Sequence, residues 1–174
     1  MRFPLSTIVA AATLTLAACE TVPPPPPPPP PQAGPSPYVF RSSDFTWSAI
    51  PGPGRIDARL VYRQGATSYV CTNAVLIPEA PFSARRMITL YGSAVGAILP
   101  MAEVQSRNTA APAGFNDFVR STTCDAQGRF SFQGLPDGAW FVVTVARPSS
   151  GGGAQTALMR RVATRGAKAV AVDL

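Results

Sequence analysis

Hydrophobic and polar residues alternate with a period of two from residue 54 onwards, which is typical of a β-strand with one buried face. In the first such segment the mostly apolar positions are Ile56, Ala58, Leu60 and Tyr62, and the residues between them are Arg55, Asp57, Arg59, Val61 and Arg63. We predict that the first set faces a core and that the second set faces solvent.

Further short strand-like segments follow, at residues 67–77, 86–91, 118–123, 129–133, 139–147, 156–164 and 167–173. Turn residues separate most of them: Asp125 to Gly128 predicts a four-residue turn, Asp137 to Gly138 another, and residues 149–153 a flexible hairpin tip. Helical turns are expected only within residues 81–87 or 94–104. About seven short strands at this spacing predict an all-β antiparallel sandwich or barrel.

The first nineteen residues have the order of a lipoprotein export signal. Met1 and Arg2 give a positive start, and residues 5–16 form an apolar run that is shorter than the roughly 20 residues that span a bilayer. The run ends in Leu-Ala-Ala-Cys at residues 16–19, which resembles the bacterial lipobox. We therefore predict a lipoprotein signal peptide at residues 1–18; the alternative is an ordinary signal peptide followed by an accidental cysteine.

The lipobox resemblance implies that the Cys19 thiol receives a diacylglycerol, that the preceding peptide bond is cut, and that the new amine is acylated. Several acyl chains, palmitate among them, anchor a protein more firmly than one chain does. Glu20 follows the cysteine, where an aspartate would resemble an inner-membrane retention signal. The expected location is the cell envelope, with the lipid in the outer membrane and the protein facing the periplasm.

A run of nine prolines at residues 23–31 follows the anchor. Such a run adopts an extended polyproline II helix of about 3.1 Å per residue, which makes a stiff arm of roughly 30 Å. A proline run can also bind aromatic-lined grooves, but the domains that have them are mainly intracellular. We assign residues 19–53 to the lipidated cysteine and a proline-rich linker, with the folded domain at residues 54–174 and its start between Tyr38 and Gly54.

Residues 124–143 resemble the carboxypeptidase regulatory-like family. The family's recurring features are all present in this stretch: an aspartate turn at Asp125, Gly-x-Phe-x-Phe at residues 128–132, Leu-Pro-x-Gly-x-aromatic at residues 135–140, and an apolar strand. Residues 73–78 resemble an earlier strand of the family more loosely. The resemblance implies an antiparallel prealbumin-like (transthyretin-like) β-sandwich of about seven strands, but it implies no ligand.

Besides Cys19 the chain has two cysteines, Cys71 and Cys124. An even pair in an oxidising envelope predicts a disulfide, which would stabilise the fold by roughly 4 kcal/mol in the chain-entropy model. The alternative is two buried free thiols. A zinc site is disfavoured because two cysteines without histidine make a poor ligand set, so we expect neither a metal nor a cofactor.

The chain contains no histidine. This excludes the Ser-His and Cys-His arrangements and the usual zinc-hydrolase ligands. A carboxylate pair drawn from Asp117, Asp125 and Asp137 is conceivable, but Asp125 and Asp137 lie in turns, where aspartate caps nearby backbone groups. We predict a protein that is not an enzyme.

The formal net charge is +6, from 15 basic and 9 acidic residues. A basic chain can bind nucleic acid or anionic membranes. However, the arginines are scattered singly or in pairs, so the sequence shows no basic patch. We expect no nucleic-acid partner, and nothing in the sequence fixes the oligomeric state.

Two functions fit these observations. The first is a tethered module that supports or contacts an envelope protein through an exposed apolar patch, for which Phe40, Phe45 and Trp47 are candidates. The alternative is a carbohydrate or small-ligand binding module, in which Trp47 and Tyr91 would stack against the ligand. Trp140 is expected to pack in the core instead.

Overall fold

The structure, a computed structural model, describes residues 36, 38–108 and 110–174. Two β-sheets packed face to face form the centre of this part of the chain, and two helices lie on the larger sheet. The strands are β1 (Gly54–Arg59), β2 (Arg63–Gln64), β3 (Thr67–Val70), β4 (Asn73–Pro78), β5 (Gly96–Pro100), β6 (Arg120–Thr123), β7 (Arg129–Leu135), β8 (Gly138–Pro148), β9 (Thr156–Thr164) and β10 (Ala169–Asp173). The helices are α1 (Pro81–Tyr91) and α2 (Met101–Ser106), with 3-10 turns at Ser42–Asp44, Thr46–Ala49 and Phe115–Phe118. The predicted signal peptide, Cys19 and the proline run lie outside the described residues.

The smaller sheet has the strand order β10-β1-β7, and the larger sheet is built around β8. The long strand β8 pairs with β9 on one side and with β4 and β3 on the other. Every pairing is antiparallel except that of β1 with β10, which is parallel. The prediction of an all-β antiparallel sandwich is confirmed.

Alternation along β8 divides the interior into two cores. Trp140 and Val142 face the three-stranded sheet, whereas Phe141 and Val143 face the opposite side, which the helices cover. The described fold therefore has three layers: the three-stranded sheet, the larger sheet and the helices.

The first core lies between the two sheets and contains the predicted inward positions of β1 and β7. Ile56 is fully buried, and Phe130 and Phe132 lie on the same face of β7, as their spacing predicts. Trp140 is fully buried and donates a hydrogen bond from Nε1 to Thr164 Oγ1 at 3.0 Å. The prediction that Trp140 packs in the core is confirmed.

The second core lies under α1, where the prediction of a strand at residues 86–91 is wrong. Pro81 occupies the first turn, the Ala80 backbone N–H donates to Ser83 Oγ at 2.8 Å, and Gly92 ends the helix at a φ of 73°. The buried residues Met87, Leu90 and Tyr91 are three and four positions apart, which places them on one helix face. The helical spacing of these buried residues decides the structure of the segment, although its short apolar composition resembles that of a strand.

Two other predicted segments each contain the boundary between two elements of secondary structure. Residues 67–77 form two strands, β3 and β4, and residues 94–104 combine β5 with α2. Only Cys71 and Thr72 separate β3 from β4, and α2 begins directly after β5, so composition alone did not reveal these breaks.

Residues 38–53, which the sequence analysis assigned to the linker, pack on the sandwich. Phe45 is fully buried and meets the rings of Phe115 and Phe118 with centroids 5.8 and 5.3 Å apart. Phe40 contacts the same cluster. The expectation that Phe40, Phe45 and Trp47 form an exposed apolar patch is therefore wrong, because these rings supply the second core and the edge of the first.

The predicted disulfide between Cys71 and Cys124 is present, with the two Cα atoms 5.8 Å apart. It lies at one end of the β4–β6 pair, next to the backbone hydrogen bond from Cys124 N to Thr72 O at 2.9 Å. The bridge thus joins neighbouring strands of one sheet. Among the described residues, no helix has the length and apolar character needed to cross a membrane.

Candidate functional site

The aromatic residues proposed for ligand stacking do not form a site. Trp47 is half-buried, and the centroid of its ring lies 4.9 Å from that of Trp140. The ring also packs closely on Gly138, since a Cβ atom at that position would lie only 2.2 Å from it. Tyr91 is buried in the second core, which raises the pKa of its phenol to about 12. Both ligand-binding assignments are corrected to packing roles.

A groove of 860 Å³ crosses the outer face of the three-stranded sheet and is open to solvent. Its floor comes from β1, where Arg55, Asp57 and Arg59 face outward because Ile56 and Ala58 are buried between the sheets. The period-two pattern that builds the core therefore also builds a row of charges on the other face. We call this surface the charged groove.

Register across the sheet places further polar residues beside this row. Arg59 lies opposite Asp173 of β10 and Arg129 of β7. Asp57 lies opposite Ser131 of β7, and the β10 residue on its other side, Ala171, is small. The small side chain leaves space above the sheet at the centre of the groove.

Ion pairs hold the groove's guanidinium groups in place. Arg59 forms a two-point contact with Asp173, from Nε to Oδ1 at 2.6 Å and from Nη2 to Oδ2 at 3.2 Å. Arg55 Nε donates to Asp57 Oδ1 at 2.7 Å. These pairs are solvent-exposed and contribute little to folding, so their consequence is to restrict the arginine side chains before a ligand arrives.

The turn predicted at Asp125 to Gly128 fixes a third pair at one end of the groove. Asp125 Oδ1 accepts the backbone N–H groups of Gln127 and Arg129, and Asp125 Oδ2 accepts Arg129 Nε at 2.8 Å. The backbone hydrogen bond from Arg129 is the largest cause that holds the pKa of Asp125 below its usual value. The side-chain hydrogen bond from Arg59 does the same for the pKa of Asp173, so both carboxylates stay ionised at neutral pH.

Arg160 of β9 is the fourth arginine that lines the charged groove. It donates from Nη1 to the backbone oxygen of Asp173 at 3.2 Å, and it makes no ion pair with any carboxylate in the described part of the chain. Four arginines against three aspartates leave the groove with one net positive charge.

The charged groove offers hydrogen bonds rather than stacking. Among the described residues that line it, Phe130 is the one aromatic residue, and its ring belongs to the buried core. Planar guanidinium groups donate paired, charge-assisted hydrogen bonds to carboxylates, and aspartate carboxylates accept hydrogen bonds from hydroxyl groups. A polar, negatively charged ligand fits this surface better than an apolar one.

The sequence interpretation missed this site because it treated the outward residues of β1 as a solvated face. A signal was present, since Arg55, Asp57 and Arg59 alternate with apolar residues over one strand. The partner Asp173 is 114 positions away from Arg59, so only the fold brings the two together.

Comparisons with known proteins identify a similar fold. No family model matches the chain, and no curated protein matches its sequence. A crystal structure from Pseudomonas aeruginosa, described as that of a candidate carbohydrate binding protein, aligns with a TM-score of 0.55 and 17% sequence identity, covering 78% of this chain and 97% of that chain. At this identity the likeness shows a shared fold alone.

Proposed function

We propose that this chain is a lipid-anchored protein of the bacterial envelope whose β-sandwich binds an acidic carbohydrate in the charged groove, without catalysis. The observation that carries the proposal is the set of four groove arginines, three of them held by aspartates on an open sheet face. Acidic carbohydrates present neighbouring hydroxyl and carboxylate oxygens, which such fixed guanidinium groups bind in pairs.

Two further observations favour a carbohydrate. The aromatic segment expected to form a protein interface is buried, which removes the residues on which that hypothesis rested. The structural neighbour from Pseudomonas aeruginosa is described as a candidate carbohydrate binding protein, and its fold resembles this one. The resemblance of residues 124–143 to the carboxypeptidase regulatory-like family is part of the same proposal, because it implies a sandwich module without a catalytic centre.

A protein partner is the second candidate function. Among the described residues β2 pairs only with β3, and Val61 just before it is 47% exposed. Edge strands of this kind can accept a strand from another protein. This edge lies outside the charged groove. If substitutions in the groove leave binding of the protein to envelope components unchanged, the result would favour a protein partner at this edge.

The lipid anchor is tested by replacing Cys19 with alanine. The unmodified thiol is the nucleophile that the lipidation reaction needs, so we expect Cys19→Ala to move the protein from the membrane fraction to the soluble fraction. Ile50→Ala is the control, because it changes an exposed residue outside the lipobox and should leave the protein in the membrane fraction. A Cys19→Ala protein that still sediments with membranes would contradict lipid anchoring.

The groove is tested with polygalacturonate, an acidic polysaccharide, and with its neutral methyl ester. We expect the double variant Arg55→Gln/Arg59→Gln to bind polygalacturonate at least about tenfold more weakly, because each lost charge-assisted hydrogen bond is worth roughly 1.5–3 kcal/mol. Biolayer interferometry on the full lipidated protein in detergent measures the dissociation constant.

The matched control is Arg63→Gln/Arg147→Gln, which removes the same charge from exposed positions outside the groove. It should bind polygalacturonate as the wild type does. Equal losses in the two double variants would show that binding follows net charge rather than the groove, and equal binding of the methyl ester would show that carboxylates are not recognised.

A further inference from the structure

A second depression of 390 Å³ adjoins the charged groove and differs from it in character. Its most exposed apolar side chains are Val95 and Ile98, which are 73% and 58% exposed. Arg160 and Asp173 line both depressions, so the two surfaces are continuous at these residues. We call the second depression the aliphatic shelf.

The position of β5 explains why the shelf is open. Ile98 lies opposite Leu158 of β9, whose side chain is buried in the first core. Ile98 therefore faces the same side of the larger sheet as that core, but the three-stranded sheet does not cover it. Residues 94–102 contain no charged side chain, so the β5 side of the shelf is apolar, and the charged residues Arg160 and Asp173 are the ones it shares with the charged groove.

Arg160 stands at the junction of the two surfaces. Arg55, Arg59 and Arg129 each pair with an aspartate, whereas Arg160 contacts only a backbone oxygen among its described hydrogen-bond partners. Among the four groove arginines it is thus the one without an ion pair to a side-chain carboxylate of the described residues, although its charge helps to hold the pKa of nearby Asp173 below its usual value. Apart from Asp173, the residues that line the shelf with it are apolar.

We infer that Arg160 binds the carboxylate of the acidic carbohydrate and that Val95 and Ile98 receive a short aliphatic group next to that carboxylate. The inference rests on the proposed function and specifies its ligand. The matching chemical class is a sugar that carries its carboxylate on a small aliphatic substituent, such as a carboxyethyl ether, with the sugar ring toward the charged groove. A uronic acid carries the carboxylate directly on the ring and would leave the shelf empty.

Three sugars separate these contributions: N-acetylmuramic acid has the carboxyethyl ether, glucuronic acid has only the carboxylate, and N-acetylglucosamine has neither. Ligand-observed NMR with the full lipidated protein in detergent measures each affinity. We expect the wild type to prefer N-acetylmuramic acid over N-acetylglucosamine by about tenfold or more, the usual value of one charge-assisted contact. Glucuronic acid should lie between them.

Two variants test whether Arg160 and Ile98 cause the preference for N-acetylmuramic acid. Arg160→Gln should reduce the preference for N-acetylmuramic acid over N-acetylglucosamine from about tenfold or more to the severalfold part that the shelf supplies. Ile98→Ser should weaken N-acetylmuramic acid severalfold and leave glucuronic acid unchanged, because only the former reaches the shelf. Arg165→Gln, an exposed arginine outside both depressions, should match the wild type.

A wild-type protein that binds the three sugars equally, or an Arg160→Gln protein that keeps the full preference, would overturn the inference. If polygalacturonate still depends on Arg55 and Arg59 in that case, the proposed function stands and only the ligand's identity is wrong. If polygalacturonate does not bind at all, the proposed function itself fails.

Discussion

Replacing Phe45 with alanine should lower the free energy of unfolding by about 3–5 kcal/mol, the usual cost of truncating a buried phenylalanine. Phe45 is fully buried and lies against Phe115 and Phe118 in the second core. Truncation would leave a cavity that the surrounding rings fill only in part. Urea unfolding followed by tryptophan fluorescence measures the change.

Ile50→Ala is the control for this substitution, since Ile50 belongs to the same segment but is 62% exposed. Its effect should stay within about 0.5 kcal/mol, as for most surface substitutions. A Phe45→Ala protein as stable as the wild type would mean that residues 38–53 are a linker after all and do not belong to the folded unit.

Removing the disulfide should lower the free energy of unfolding by an amount similar to that expected for Phe45→Ala. Cys71 and Cys124 are 53 positions apart, and the chain-entropy model gives about 4 kcal/mol for closing a loop of that length. Small domains are typically stable by only about 5–15 kcal/mol, so the double variant Cys71→Ala/Cys124→Ala should unfold at a much lower urea concentration.

Reductant supplies an internal comparison. It should destabilise the wild type toward the level of the double variant, and it should leave the double variant unchanged because no bridge remains to be reduced. If the double variant and the wild type unfold at the same urea concentration, the bridge contributes nothing to stability.

Features that depend on neighbouring residues could be predicted from the sequence. The inward and outward positions of β1 follow from alternation alone, and the turn at Asp125 follows from an aspartate that caps its own loop and a glycine at a φ of 72°. The disulfide followed from cysteine count and compartment. These predictions need no knowledge of which strands are neighbours.

Features that depend on distant contacts could not be predicted. The parallel pairing of β1 with β10 joins the two ends of the domain, and it creates the contact between Arg59 and Asp173. The burial of Phe45 depends on a ring cluster drawn from residues beyond position 80, although the surrounding segment reads as a linker. The charged groove was missed for the same reason, since each strand supplies only part of it.

Photochemical carbene labelling of the full lipidated protein, with and without polygalacturonate, tests groove binding most directly, because mass spectrometry then locates the protected side chains. We predict that polygalacturonate protects the peptides that contain Arg55 to Arg59, Arg129 and Asp173, and leaves labelling of Tyr38 on the helical side unchanged. Protection confined to other surfaces, or no protection at a saturating concentration of polygalacturonate, would contradict the proposal that the charged groove is the binding site.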